Sequence, residues 1–124
     1  MTKLLPMFLK LNHQNLEAYK SSKNLLVDCY KFSHTLPDYE KFGMASQIRR
    51  AALSNVLNIA EGASRKSETE RKRFFEIARG SVIEIDAALD AAEALDYLKN
   101  YSLEQVGINL QNSFKLVTGL INSK

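Results

Sequence analysis

The stretch Ser46–Gly62, reading SQIRRAALSNVLNIAEG, constrains more than any other what this chain can fold into. On a helical wheel, Met44, Ala45, Ile48, Ala51, Ala52, Leu53, Val56, Ile59 and Ala60 cover roughly half of the circumference. Ser46, Gln47, Arg50, Ser54, Asn58 and Glu61 fill the remainder. A surface helix needs an apolar stripe of only ~100°. The wider arc predicts a helix packed against more than one neighbour, at the centre of a bundle. Arg49 falls inside the arc, between Leu53 and Val56. An unpaired guanidinium is costly to bury, so Arg49 must snorkel, pair or meet a subunit boundary.

Three further helices follow from the same periodicity. From about Asn15, Leu25, Leu26, Cys29, Tyr30, Phe32 and Leu36 share one side with Ala18, Ser22 and Tyr19, and Pro37 ends the run. Residues 38–43 make a connection short enough to join antiparallel neighbours. After Gly62, Ser67 stands three residues before Glu70, the spacing of a capping box, and predicts a long helix to about Leu98. Its expected stripe is Phe74, Ile77, Ala78, Val82, Ile85, Ala88, Leu89, Ala92 and Leu95, with Gly80 suggesting close backbone packing. Ser102 and Gln105 repeat the capping spacing before Leu103, Val106, Leu110, Phe114, Val117, Leu120 and Ile121. No stretch alternates as a strand would. The predicted fold is all-α, an antiparallel up-down four-helix bundle over residues 15–124 preceded by an N-terminal arm, residues 1–14.

Composition agrees. A chain of 124 residues with 45% apolar and 25% charged side chains is one globular domain, and five glycines with two prolines leave few breakpoints. The single Cys29 excludes an intrachain disulfide and fits a reducing cytoplasm. The opening run MTKLLPMFLKL is short and broken by Pro6, without the features of a signal peptide or membrane span.

Catalytic templates find few residues here. His13 and His34 are the only imidazoles, and neither has metal-ligand partners at a usable spacing. Gly80-Ser81 lacks a nearby general base, and EGASRKS lacks the ending and preceding strand of a phosphate loop. The expectation is a non-enzymatic protein with no cofactor and no metal.

Charge is more informative. Residues 41–79 carry nine Lys and Arg against four acids, whereas residues 80–124 carry three Lys against six acids. Arg65, Lys66, Arg71, Lys72 and Arg73 cluster at the junction of the second and third helices. Cations at a helix start oppose its dipole. A phosphate backbone is one reason to keep them there; pairing with Glu68, Glu70 and Glu76 at helical spacings is the other.

The segments Ser46–Ser54 (SQIRRAALS) and Asn58–Gly62 (NIAEG), with Leu36-Pro37, Glu40, Gly43, Ile77–Val82 (IARGSV) and Glu84, resemble the bacterial 23S rRNA intervening-sequence protein family. The resemblance spans about residues 14–98; Leu57 replaces what is often a smaller residue, and residues 1–12 lie outside the pattern. It implies an up-down bundle that assembles into a ring-shaped pentamer. Some relatives are encoded within intervening sequences of large-subunit rRNA genes, and a related retroelement accessory protein binds nucleic acid and a reverse transcriptase. Arg49, Arg50, Glu61, Arg65 and Arg79 fall on the family's polar markers, as ligand or subunit contacts. Two functions follow: an oligomeric scaffold binding RNA or single-stranded DNA through Arg65, Lys66, Arg71, Lys72 and Arg73, or a protein-interaction adaptor whose charges serve solubility.

Overall fold

The computed structural model describes Leu9 and residues 11–123; most of the expected arm lies outside them. A 3-10 turn, Asn12–Asn15, leads into α1 (Glu17–Ser33). A second such turn, Asp38–Glu40, precedes α2 (Met44–Ser64), which is followed by α3 (Glu68–Ala94) and α4 (Glu104–Asn122). The described residues contain no strand. Each helix packs on two others, α1 on α2 and α4, α3 on α2 and α4. Polar contacts fix the directions. On α1 and α4, Ser21 meets Ser113 and Asp28 meets Asn109; on α2 and α3, Gln47 meets Glu84 and Ser54 meets Ser81. Numbers rising on one helix as they fall on the other make both pairs antiparallel.

Why these four helices pack together is visible in what each one buries. The buried positions Ala18, Ser22, Leu25, Cys29, Phe32 and Leu36 step by four and three residues alternately. So do Ala45, Ile48, Ala52, Asn55, Ile59 and Gly62 on α2, and Phe75, Ala78, Val82, Ile85, Leu89 and Ala92 on α3. On α4 the series is Val106, Leu110, Ser113 and Val117. This is a heptad seam on every helix, the pattern that aligns neighbours at about 20° and lets side chains interlock.

The seam corrects several details of the sequence reading. Phe75 rather than Phe74 enters the core, and Ile77 and Leu95 stand exposed, because the buried stripe of α3 lies to one side of the expected one. On α2, Leu53 is exposed whereas Asn55 is fully buried, and on α1 Tyr30 faces out. Gly80 has open space around its missing Cβ, so no close backbone approach within this chain explains it. Gly62 does have such a reason: a Cβ there would lie 2.7 Å from Cε1 of Phe75.

The core divides in two. One cluster joins Leu25, Cys29, Phe32, Ile48, Ile85, Leu89 and Val106 near the α1–α2 and α3–α4 connections. A smaller one joins Ala18, Ile59, Phe75, Ala78 and Val117 near the α2–α3 bend. Between them the seams of α1, α2 and α4 carry Ser22, Asn55 and Ser113. Ser113 shares a 2.8 Å hydrogen bond with Ser21, and Ser22 donates to the Tyr19 carbonyl at 2.6 Å. Among the described residues, neither amide atom of Asn55 has a partner.

Helix ends explain the remaining boundaries. Ser67 accepts the Glu70 N–H at 3.1 Å, one arm of the expected capping box. α3 stops at Ala94 rather than near Leu98 because Asp96 turns left-handed at φ 63°. There the Tyr97 N–H reaches the Ala92 carbonyl and the Asp96 N–H that of Glu93, the paired bonds of a Schellman cap. Before α4, Ser102 accepts from Glu104 instead of Gln105. At the same end, Glu40 accepts the Met44 N–H at 3.1 Å through Oε1 and the Tyr97 hydroxyl at 2.8 Å through Oε2. These bonds hold the Glu40 carboxyl below its ordinary range, while the hydrogen bond to the Tyr39 hydroxyl, and then that to Glu40, push the Tyr97 hydroxyl up.

Candidate nucleic-acid interface

The α2–α3 bend is formed by a few extended residues. α2 ends at Ser64, Arg65 takes an extended conformation, and Ser67 caps α3 from the same region. The bend therefore gathers Arg65, Lys66, Arg71, Lys72 and Arg73 at one end of the bundle, as expected, but gives them unequal tasks. Arg71 turns inward and donates to the Lys66 carbonyl at 2.6 Å and that of Arg65 at 3.2 Å, satisfying acceptors the extended residues would leave open. Arg65 pairs with Glu61 one turn back and stacks 4.9 Å from the Phe74 ring centre. Lys72 pairs with Glu68 at 3.1 Å. Lys66 and Arg73 are exposed and form no ion pair among the described residues. Exposed ion pairs at helical spacing are worth ~0.2–1 kcal/mol each, so Arg65 and Lys72 can exchange partners at little cost. Arg71 is committed to the bend itself.

The other marker residues lie elsewhere. Arg49 is half-buried and donates to Ser33 Oγ at 3.3 Å, the pairing its position in an apolar arc requires. Arg50 is exposed, and Glu61 is the partner of Arg65. Arg79 stacks 4.7 Å from the Phe114 ring centre across α3 and α4, with Glu76 at 4.0 Å and its Nε unpartnered. Cys29 is buried, and desolvation with the nearby Asp28 charge pushes its thiol up to about 12, so it offers no thiolate nucleophile near neutral pH.

Two features escaped the periodicity argument. Beside Arg79 a groove of about 370 Å³ is lined by Val82, Ile83, Asp86, Leu110, Gln111 and Phe114, with Ile83 exposed along it. At the opposite end from the bend, Tyr39 and Phe42 are 79% and 89% exposed, far beyond what packing leaves to most large aromatics. The signal was present as aromatics in the polar connection DYEKFG, but a wheel has no place for a connection. Charge is also polarised: residues 80–98 contain Glu84, Asp86, Asp90, Glu93 and Asp96 and no base. Among the described residues, no three His, Cys, Asp or Glu side chains converge as metal ligands would, and no helix is long and apolar enough to cross a membrane.

A heptad-packed all-α bundle with a cationic bend at one end is the class of protein that these features define. Residues 14–119 match the family described as 23S rRNA-intervening sequence protein, and the chain belongs to that family. A comparison with curated proteins returned no match.

Proposed function

We propose that this protein is a non-enzymatic, self-associating scaffold that binds RNA or single-stranded DNA through the bend. The observation that supports the reading is the concentration of five cations between residues 65 and 73, with Lys66 and Arg73 exposed and without an ion pair among the described residues. Phosphates recruit such cations without regard to base identity and release counterions as they do. Assembly follows from surface left uncovered: exposed Ile83 and Ile108, and exposed Ala87, Ala91 and Ala94 on α3. A homopentamer, the state implied by family resemblance, would repeat the bend five times around one rim and convert weak contacts into multivalent ones.

A gel shift at two salt concentrations tests this. Affinity falls with salt at a slope of about −0.7 per neutralised phosphate for a single strand. The double variant Lys66→Glu with Arg73→Glu weakens binding while helicity and assembly size stay unchanged, since neither side chain holds the bend. Unaltered binding by that variant, or no binding by the parent at low salt, overturns the reading. The second reading, a protein adaptor with partners such as a reverse transcriptase, draws on the α3–α4 groove, whose lining is mainly apolar. Loss of a protein partner on Ile83→Asp with nucleic-acid binding retained would favour it.

A further inference from the structure

We infer that a second ligand site lies at the far end of the bundle, where the cleft between α1 and α2 takes the phosphate of one nucleotide unit and the adjoining aromatics receive its base. The cleft encloses about 360 Å³ and is lined by Ser33, His34, Asp38, Lys41 and Arg49. Arg49 and Lys41 reach it from different elements, α2 and the connection before it, and neither forms an ion pair among the described residues. The Arg49 guanidinium has one hydrogen bond, to Ser33 Oγ, of the five N–H groups it can donate. Most of its donors therefore remain open to an anion.

Among the described residues, neither of the acids nearby forms an ion pair with these cations. Asp38 is the only carboxylate in the lining. Glu40 is adjacent in sequence, but both its oxygens are taken, by the Met44 N–H and the Tyr97 hydroxyl. An arginine beside a lysine in a cleft suits the tetrahedral, multiply charged phosphate better than a lone carboxylate.

What turns an anion site into a nucleotide site is the pair of aromatics on the same connection. Phe42 is 89% exposed and carries Lys41 Nζ 5.5 Å from its ring centre. Tyr39 is 79% exposed, and its hydroxyl is 3.3 Å from that of Tyr97, which anchors the connection to the α3–α4 side. A base stacked on an exposed ring contributes ~1–3 kcal/mol whatever its identity. Phosphate on Arg49 and Lys41 with base on Phe42 or Tyr39 is thus a sequence-tolerant site for one unit of a strand. That the unit belongs to a strand rests on the function proposed above; the cleft's chemistry does not.

The experiment is fluorescence anisotropy of labelled oligothymidylate on the full chain, with competition by thymidine 5′-monophosphate and by inorganic phosphate. Arg49→Gln and, separately, Lys41→Glu each weaken all three by about tenfold, the loss expected for one charged hydrogen bond. Phe42→Ala weakens oligonucleotide and monophosphate by about tenfold and leaves inorganic phosphate unchanged. Phe42 and Lys41 are exposed, so these variants report on binding even if Arg49→Gln disturbs folding. Oligonucleotide and monophosphate affinities insensitive to both Lys41→Glu and Phe42→Ala overturn the site. Monophosphate binding as tightly as oligonucleotide overturns the assignment to a strand. If the Lys66→Glu, Arg73→Glu protein binds oligothymidylate unchanged while the Phe42 effect persists, the bend reading fails and the cleft stands.

Discussion

The two halves of the core are built to different standards. Toward the connections, Phe32, Leu25, Ile48 and Ile85 are all less than 2% exposed and interlock across the four helices. Toward the bend, the fully buried set is smaller, Ile59 and Phe75 with Ala18, Ala78 and Val117, and half-buried Leu16, Tyr19, Leu116, Leu120 and Ile121 complete it from the outside. At ~1.5–3 kcal/mol for each large apolar side chain buried, most of the cohesion lies away from the basic end. The difference teaches where strain is tolerated: the cationic bend, with charges set against a helix dipole, sits over the weaker half. Segments that bind are commonly drawn from the low-stability end of a structure.

The comparison can be broken most strongly from the well-packed side. Phe32→Ala empties the centre of the larger cluster and is expected to cost about 3–5 kcal/mol by chemical denaturation. A loss below 1 kcal/mol would mean that the halves are not so unequal. Next comes the bend. Gly62→Ala places a Cβ against the Phe75 ring and 3.1 Å from Cβ of Phe74. Overpacking of this kind costs about 1–3 kcal/mol, and hydrogen exchange should show the loss concentrated in the turns flanking the bend. The boundary between the halves is tested by Asn55→Val, which replaces an unpartnered buried amide by an apolar group of similar size. It is expected to raise stability by about 1 kcal/mol; a fall would show that the amide is satisfied in solution, by ordered water for example.

The smallest effect concerns pH. Hydrogen bonds from Met44 and Tyr97 depress the Glu40 carboxyl below 4.5, its ordinary value. A depressed acid contributes stability above its unfolded pKa and loses it as pH falls through the folded value. Thermal unfolding of the parent should therefore lose stability below about pH 4.5 more steeply than Glu40→Gln does. Parallel curves would remove this contribution.

Much of the architecture was legible in the sequence because it is local. Four apolar stripes, Pro37 and the Ser67 cap fixed element number and order. The rotation of each helix was less legible. Phe74 and Phe75 are adjacent and equally apolar, and only the heptad shared with α2 and α4 decides between them. Asn55 was invisible for the opposite reason, since a polar side chain in a seam reads as surface until its neighbours are placed. At the bend, sequence showed the charge but not its employment. That Arg71 serves carbonyls and Lys66 serves none depends on a backbone path of a few residues. Tyr39 and Phe42 stood out only once exposure was known.

One practical consequence attaches to the antiparallel order. α1 begins and α4 ends at the same end as the bend, with Ala18 and Val117 in one cluster and Ser123 lining a small recess with Arg71 and Lys72. A polyhistidine tag or fluorescent fusion after Ser123 would crowd the basic bend and distort any affinity measured there. A label on the opposite end, at an exposed residue such as Lys99, leaves the bend clear for the gel shift, and one in mid-helix, at exposed Asn24 of α1, leaves both ends clear.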